Sequence, residues 1–375
     1  MGALGIPGGV LRRTAAVADA FGADAGELLT GRAALLGLTP RGRVSAGGAT
    51  HLMPSADGWF GLTLSRADDI AAVPAVLEVD GVGADPWPDI RQWAATRTAD
   101  VVVRRARLLG LPAARLGETG AAAPRVHKCG EPTRVRPLAG LLVADLTSMW
   151  AGPLCGQLLS RAGAVVVKVE SPGRPDGTRG GDPRFFDWMN GGKLCYSVDF
   201  DRDRSRLAAL LAAADVVLEG SRPAALARRG LGPSDMSARP GRVWLRIIGY
   251  GTDAGSAERV AFGDDAAVAG GLVGYDGAGP AFVGDAIADP LTGLEAAAAV
   301  CASVGRGGGE MIEVAMAAVA ASYAAQPDEP DAPDVVTDLV LPAVRATAPA
   351  LGADTAAVER LVADRPFDEK PSGTC

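Results

Sequence analysis

The sequence is poor in histidine, in aromatic residues and in net positive charge. Only His51 and His127 occur in 375 residues, and aromatics make up 5%. Five cysteines (Cys129, Cys155, Cys195, Cys301 and Cys375) are scattered with no C-x-x-C pair. A Cys/His metal site is therefore not expected, and reduced thiols are. The formal net charge is −7, which argues against a nucleic-acid partner. No run reaches 18 strongly apolar residues, so no membrane partner is expected. Met1–Val10 has no charged stretch followed by an apolar run, so no signal peptide is expected and a cytoplasmic location is.

Familiar catalytic signatures are missing as well. The turn Asp145–Pro153 has no G-x-G-x-x-G, and Gly305-Arg306-Gly307-Gly308-Gly309 is not followed by Lys-Ser/Thr. Neither stretch therefore has the residues of a nucleotide phosphate cradle. No G-x-S-x-G elbow is present, which leaves a Ser-His-Asp triad unsupported.

What is there divides the chain by texture. Residues 10–38 show helical spacing in two stretches, and Asp57-Gly58 leads into the alternating run Trp59–Leu64. Residues 66–80, 88–96 and 98–109 look helical, and Gly110-Leu111-Pro112 stops the last. Residues 1–125 thus read as a small α+β domain, and 126–137, without apolar periodicity, as a linker. From residue 138 onward the texture changes. Short apolar runs at 141–146, 164–170, 215–219, 243–248 and 311–314 alternate with helical stretches of about ten residues. Buried strands alternating with helices indicate a doubly wound, mostly parallel α/β domain over 138–325. The tail, 326–375, is Pro/Asp-rich to Asp334, with weak helices at 337–346 and 354–363.

Three features carry possible chemistry. Asp289 stands before Pro290 and the Ala-rich run Leu294–Val304, as a helix cap would, or as a carboxylate nucleophile or base facing a cleft. The loop Gly173–Pro183 carries Arg174 and Arg179 and reads as a solvated loop or a cover over an anion. Lys193 and Arg228 are lone cations, each readable as a surface charge or an anion ligand.

An ordered series of short motifs runs through 137–325. It comprises Pro137–Gly140, Asp145-Leu146-Thr147, Ala151-Gly152-Pro153, Val167–Glu170, Asn190–Lys193, Ala214–Glu219 with Arg222-Pro223, Arg228–Gly232, Ile248–Gly251 and Ala288–Leu294. The series resembles family III CoA-transferases, a group that also contains the α-methylacyl-CoA racemases. The resemblance implies a Rossmann-like fold and a homodimer of interlocked chains. It implies acyl-CoA as substrate with a carboxylate acceptor, no metal, and an Asp at position 289 acting as covalent nucleophile. It places Met149, Trp150, Ala151, Gly220 and Ser221 at the CoA, and Lys193 and Arg228 near its phosphates. It likens Gly47 and Gly48 to a glycine segment covering the active site.

There are departures from the pattern. Ser171 stands where many members have Arg, and Ile248 where formyl-CoA transferases have Lys. The racemase Gly-His-Asp is Gly263-Asp264-Asp265 here, so enolisation by Asp264 and Asp289 is the alternative reaction, and a CoA-ester binder without turnover is a third reading. The segment resembling the family's small domain precedes the large one, as a circular permutation or a shortened tandem duplication would place it.

Overall fold

The computed structural model describes residues 4–222, 224–237, 239–325 and 335–365. They form two compact units. One collects the described residues within 1–124, 248–295 and 314–343, and the other those within 125–247, 296–313 and 344–375. The division is not the contiguous series expected from texture. Residues 248–295 make their contacts with the N-terminal unit, a long-range choice that local periodicity does not encode.

In the first unit, helices Gly8–Ala18 and Ala25–Leu36 match the expected pair. Asp24 caps the second by accepting the N–H of Glu27 at 2.7 Å. A three-stranded antiparallel sheet follows, with Trp59–Thr63 between Thr50–Pro54 and Ala113–Arg115. Phe60 and Leu62 on its central strand are buried with Ile90, Val102 and Val103 from helices Trp87–Ala94 and Ala99–Leu108. Gly61 lets helix Gly263–Ala269 approach, since a Cβ there would lie 3.1 Å from Val268 Cγ2. Leu4–Ile6 pairs antiparallel with Val335–Thr337. That pairing and the Thr30 hydroxyl, which accepts the N–H of Val340, replace the helix expected over 337–346. Pro342, lacking an N–H, also disfavours a helix there.

The second unit is built on a seven-stranded, mostly parallel sheet. Its order is Arg125–Lys128, Glu310–Ala315, Val243–Ile248, Val216–Glu219, Leu142–Leu146, Val165–Glu170, Leu194–Ser197. The last five strands pair in parallel, whereas Arg125–Lys128 runs antiparallel at one edge. That edge strand lies in the segment expected as a linker. All four of its side chains are exposed, so it has no apolar alternation to betray it. Leu142, Val167, Leu210, Leu211, Val217 and Trp244 form the core on one sheet face. The expected tail helix is present at Thr355–Ala363 and buries Val358 in this core. The Pro/Asp-rich stretch 326–334 and the end of the tail, 366–375, lie outside the described residues. Among the described residues, no helix is long and apolar enough to cross a membrane.

Candidate active site

Helix Ala288–Gly305 begins one residue before Asp289. Asp289 therefore sits inside the first turn rather than at the cap, and Pro290 occupies a position where a missing N–H costs nothing. The Asp289 N–H donates to Ala286 O at 2.9 Å. Ala286 has φ 41, a left-handed conformation that an alanine adopts only under constraint. Its own N–H donates to Asp264 Oδ1 at 3.0 Å.

Four carboxylates gather here. Asp289 and Asp264 are half-buried, while Asp265 and Asp285 are fully buried. Arg32, from helix Ala25–Leu36, donates to both oxygens of Asp285 at 2.7 Å. Asp265 accepts the Tyr250 hydroxyl at 2.5 Å and the Phe262 N–H at 2.7 Å. Burial pushes the Asp289 carboxyl up to about 7; Arg32 opposes this, and Asp264, Asp285 and Asp265 reinforce it. Burial and the charge of Asp285 push Asp264 up to about 6, and burial pushes Asp265 up to about 7. Asp289, Asp264 and Asp265 are thus all shifted upward toward neutrality, and Asp285 is shifted upward by its burial.

Gly47 and Gly48 belong to a turn closed by the Gly48 N–H on Ser45 O at 2.8 Å. The hydroxyls that flank this turn, from Ser45 and Thr50, both bond Asp264, that of Thr50 at 3.3 Å. The glycine segment, Asp264 and Asp289 thus come together in one unit. Gly48 has φ 83, and a Cβ there would lie 2.9 Å from Arg41 Nη1. Arg32, Ser45, Thr50 and Asp285 were not picked out by the sequence. An Arg inside an ordinary helix and an Asp after Gly284 carry no local signal of a shared site.

The remaining expected residues lie in the other unit. Leu142–Leu146 and Val216–Glu219 are adjacent strands from which the chain departs in opposite directions across the sheet. Ligands of open α/β sheets bind outside the carboxyl ends at such a switch point. Met149, Trp150 and Ala151 follow the first of these strands, and Gly220 and Ser221 follow the second. Met149 has φ 74, its side chain is exposed, and its N–H donates to Asp176 at 3.2 Å. Lys168 braces the turn from beneath through Thr147 O and Asp176 Oδ2, both at 2.6 Å. Gly152 admits Thr147 where any Cβ would collide, and Trp150 is buried edge-on against Phe185. Ser221 Oγ donates to Glu219 at 3.1 Å, and Arg228 is exposed just past helix Ala224–Ala227.

Lys193 departs from its expected role. Its ammonium is buried and donates to Asp145 Oδ2 at 2.9 Å, Pro153 O at 2.8 Å and Asn190 Oδ1 at 3.1 Å. Three acceptors take all three donors of a lysine, leaving none for a phosphate.

Comparison with known proteins adds the following. A probable fatty acyl-CoA transferase of Mycobacterium tuberculosis is 39% identical over 127 residues, 31% of this chain and 32% of that protein. Succinyl-CoA–D-citramalate CoA-transferase of Chloroflexus aurantiacus is 31% identical over 175 residues, 43% of this chain and 44% of that one. Human succinyl-CoA:glutarate CoA-transferase is 31% identical over 187 residues, 45% and 42% respectively. The chain thus spans less than half the length of each of these relatives. A crystal structure of an M. tuberculosis protein aligns over 52% of this chain and 57% of that one, with 31% identity and a TM-score of 0.46. The model of CoA-transferase family III matches residues 138–328, just over half of the chain, and the chain belongs to that family.

Proposed function

We propose that the chain is an acyl-CoA:carboxylate CoA-transferase that works through a covalent intermediate on Asp289. The observation that carries this reading is the Asp289 carboxyl, half-buried in a helix's first turn and pushed up to about 7. A carboxylate with a raised pKa is a stronger base, and by the same trend a stronger nucleophile, than a solvated one. Near neutrality a substantial share of it is ionised.

In the first step an Asp289 oxygen attacks the thioester carbonyl carbon and the C–S bond breaks. CoA leaves as thiolate and a mixed anhydride remains. The thiolate then attacks the Asp289 acyl carbon, releasing the donor acid as carboxylate and forming an aspartyl-CoA thioester. The acceptor carboxylate attacks that thioester, expelling thiolate and forming a second anhydride. Thiolate attack on the acceptor's carbonyl carbon yields the new acyl-CoA and restores the Asp289 carboxylate. Acylation removes the charge on Asp289, which relieves its repulsion with Asp264 and Asp285 and favours the first step. CoA lies against Met149, Trp150 and Ala151 and against Gly220 and Ser221, with Arg228 toward its phosphates. The glycine turn Gly47-Gly48 covers the acyl group. The active form is a homodimer, and the order of the segments reflects a circular permutation or a shortened tandem duplication.

The raised pKa values of both Asp264 and Asp289 also suit a second reading, two-base enolisation of an acyl-CoA at its α-carbon. One experiment separates the two. The chain is incubated with acyl-CoA, quenched with borohydride or hydroxylamine, and its peptides are weighed by mass spectrometry. Modification at Asp289, retained in Asp264→Asn, supports the transferase. Deuterium exchange at the α-carbon with no modified Asp289 supports enolisation and overturns the transferase.

A further inference from the structure

The seven-stranded sheet has a concave feature at the opposite end of its strands from the switch point. A cavity of about 400 Å³ opens where Leu142–Leu146 and Val216–Glu219 begin. Its lining includes Arg134, Arg136, Arg239, Arg365, Leu141 and Asp215. Asp215 is buried and fully engaged. Its Oδ1 accepts from Arg136 at 3.3 Å and Arg239 at 3.1 Å, and its Oδ2 from the Leu142 N–H at 2.9 Å and Arg365 at 2.6 Å.

Asp215 is the one acidic residue in this lining and brings one negative charge. Four arginines line this cavity around a single aspartate, leaving three positive charges unmatched among the lining residues. Arg134 lines it without joining the Asp215 cluster. Behind them Arg242, which is buried, donates among the described residues to the carbonyls of Ser237 and Ala212, at 2.9 and 2.8 Å, and its Nε has no partner among them. Burial, with the charge of Arg239 adding to it, pushes its guanidinium down to about 10, while Cys129 and Asp215 oppose the shift. This surplus is local, for the whole chain carries −7.

We infer that this cavity binds a phosphoryl anion. Guanidinium forks match phosphate oxygens two at a time, and several forks converging on one space suit more than one phosphoryl group. The volume falls within the range of about 300–1,000 Å³ typical of small-ligand sites, so pyrophosphate or the polyphosphate of a nucleotide fits. The site is distinct from the proposed CoA crevice. The five-residue strand Leu142–Leu146 separates them by about 16 Å, at the usual rise per strand residue.

The test is isothermal titration of the full chain with inorganic phosphate, pyrophosphate and ATP, each with and without saturating CoA. We expect one pyrophosphate or ATP per chain, bound with salt-sensitive affinity and not displaced by CoA. Affinity falls about tenfold or more in Arg134→Gln/Arg239→Gln. Arg134→Gln alone leaves every partner of Asp215 in place, so it keeps the melting temperature of the parent and still weakens binding. Tighter binding of ATP than of pyrophosphate identifies a nucleotide as the ligand, and equal binding a free phosphoryl anion. The proposal is overturned if none of the three anions binds, if CoA displaces them one for one, or if affinity is unchanged in both variants. None of these results bears on Asp289.

Discussion

Gly263 lies directly against the carboxylate of Asp289: a Cβ on Gly263 would stand 2.5 Å from Asp289 Oδ2 and would also collide with Ala286 O. The clash with a backbone oxygen leaves no rotamer to relieve it. Gly263→Ala must therefore shift the first turn of the Asp289 helix. A displacement of this kind costs about 10²-fold in kcat. Steady-state rates and CoA titrations check this, with CoA affinity expected to hold. Parent-like kcat would show that the close approach does not position the carboxylate.

Asp289→Asn removes both the nucleophile and a titration. Turnover and covalent capture by acyl-CoA should vanish, while circular dichroism stays as in the parent. The carboxyl titrates near 3.8 when unfolded and about 7 when folded, so the folded chain holds the proton more tightly. Its contribution to stability is complete below 3.8 and is lost as pH rises through about 7. Melting temperatures across that window should fall less steeply for Asp289→Asn than for the parent. Parallel curves would mean that the group is not shifted.

Arg32 opposes the upward shift of Asp289 while holding Asp285 in a two-oxygen contact. Arg32→Gln should move the acid limb of the kcat/KM profile upward by about one pH unit. It also strands a buried carboxylate, at a cost of about 3–5 kcal/mol. Arg32→Gln/Asp285→Asn removes both charges and should recover stability. A profile unmoved in the single variant would separate Arg32 from the ionisation of Asp289.

Lys193 is fully engaged with Asp145, Pro153 and Asn190. Lys193→Met leaves Asp145 buried without its cation and should cost about 3–5 kcal/mol in chemical denaturation. The KM for acyl-CoA of the folded fraction should stay within about twofold, because no ammonium donor faces the ligand. A large rise in KM with unchanged stability would return Lys193 to the CoA phosphates.

Short runs with strong periodicity were legible. The strands at 142–146, 165–170, 216–219 and 243–248 and the helix carrying Asp289 fall where the apolar patterns place them. Arg125–Lys128 was not legible, because an edge strand with every side chain in water keeps no alternating pattern. The stretch after Val335 misled, because its extended form depends on pairing with Leu4–Ile6, more than 300 residues away in sequence. Asp289, Asp264 and the Gly47-Gly48 turn were each visible as chemistry-bearing residues in the sequence. Their grouping came from the family resemblance and not from local pattern, since Ser45 and Thr50 reach Asp264 across more than 200 positions.

The sequence by itself determined the α/β character and the motif series, since these are local patterns of size, apolarity and turn chemistry; Asp289 as a nucleophile came only with the resemblance that the motif series carries. Tertiary structure alone decided which charges meet. It matched Lys193 with Asp145, set Arg32 and three further carboxylates around Asp289, and gathered three arginines on Asp215. The physical reason is that burial and Coulomb forces act through space. A carboxyl near 3.8 in the chain becomes one near 7 only when folding removes its water and brings like charges beside it.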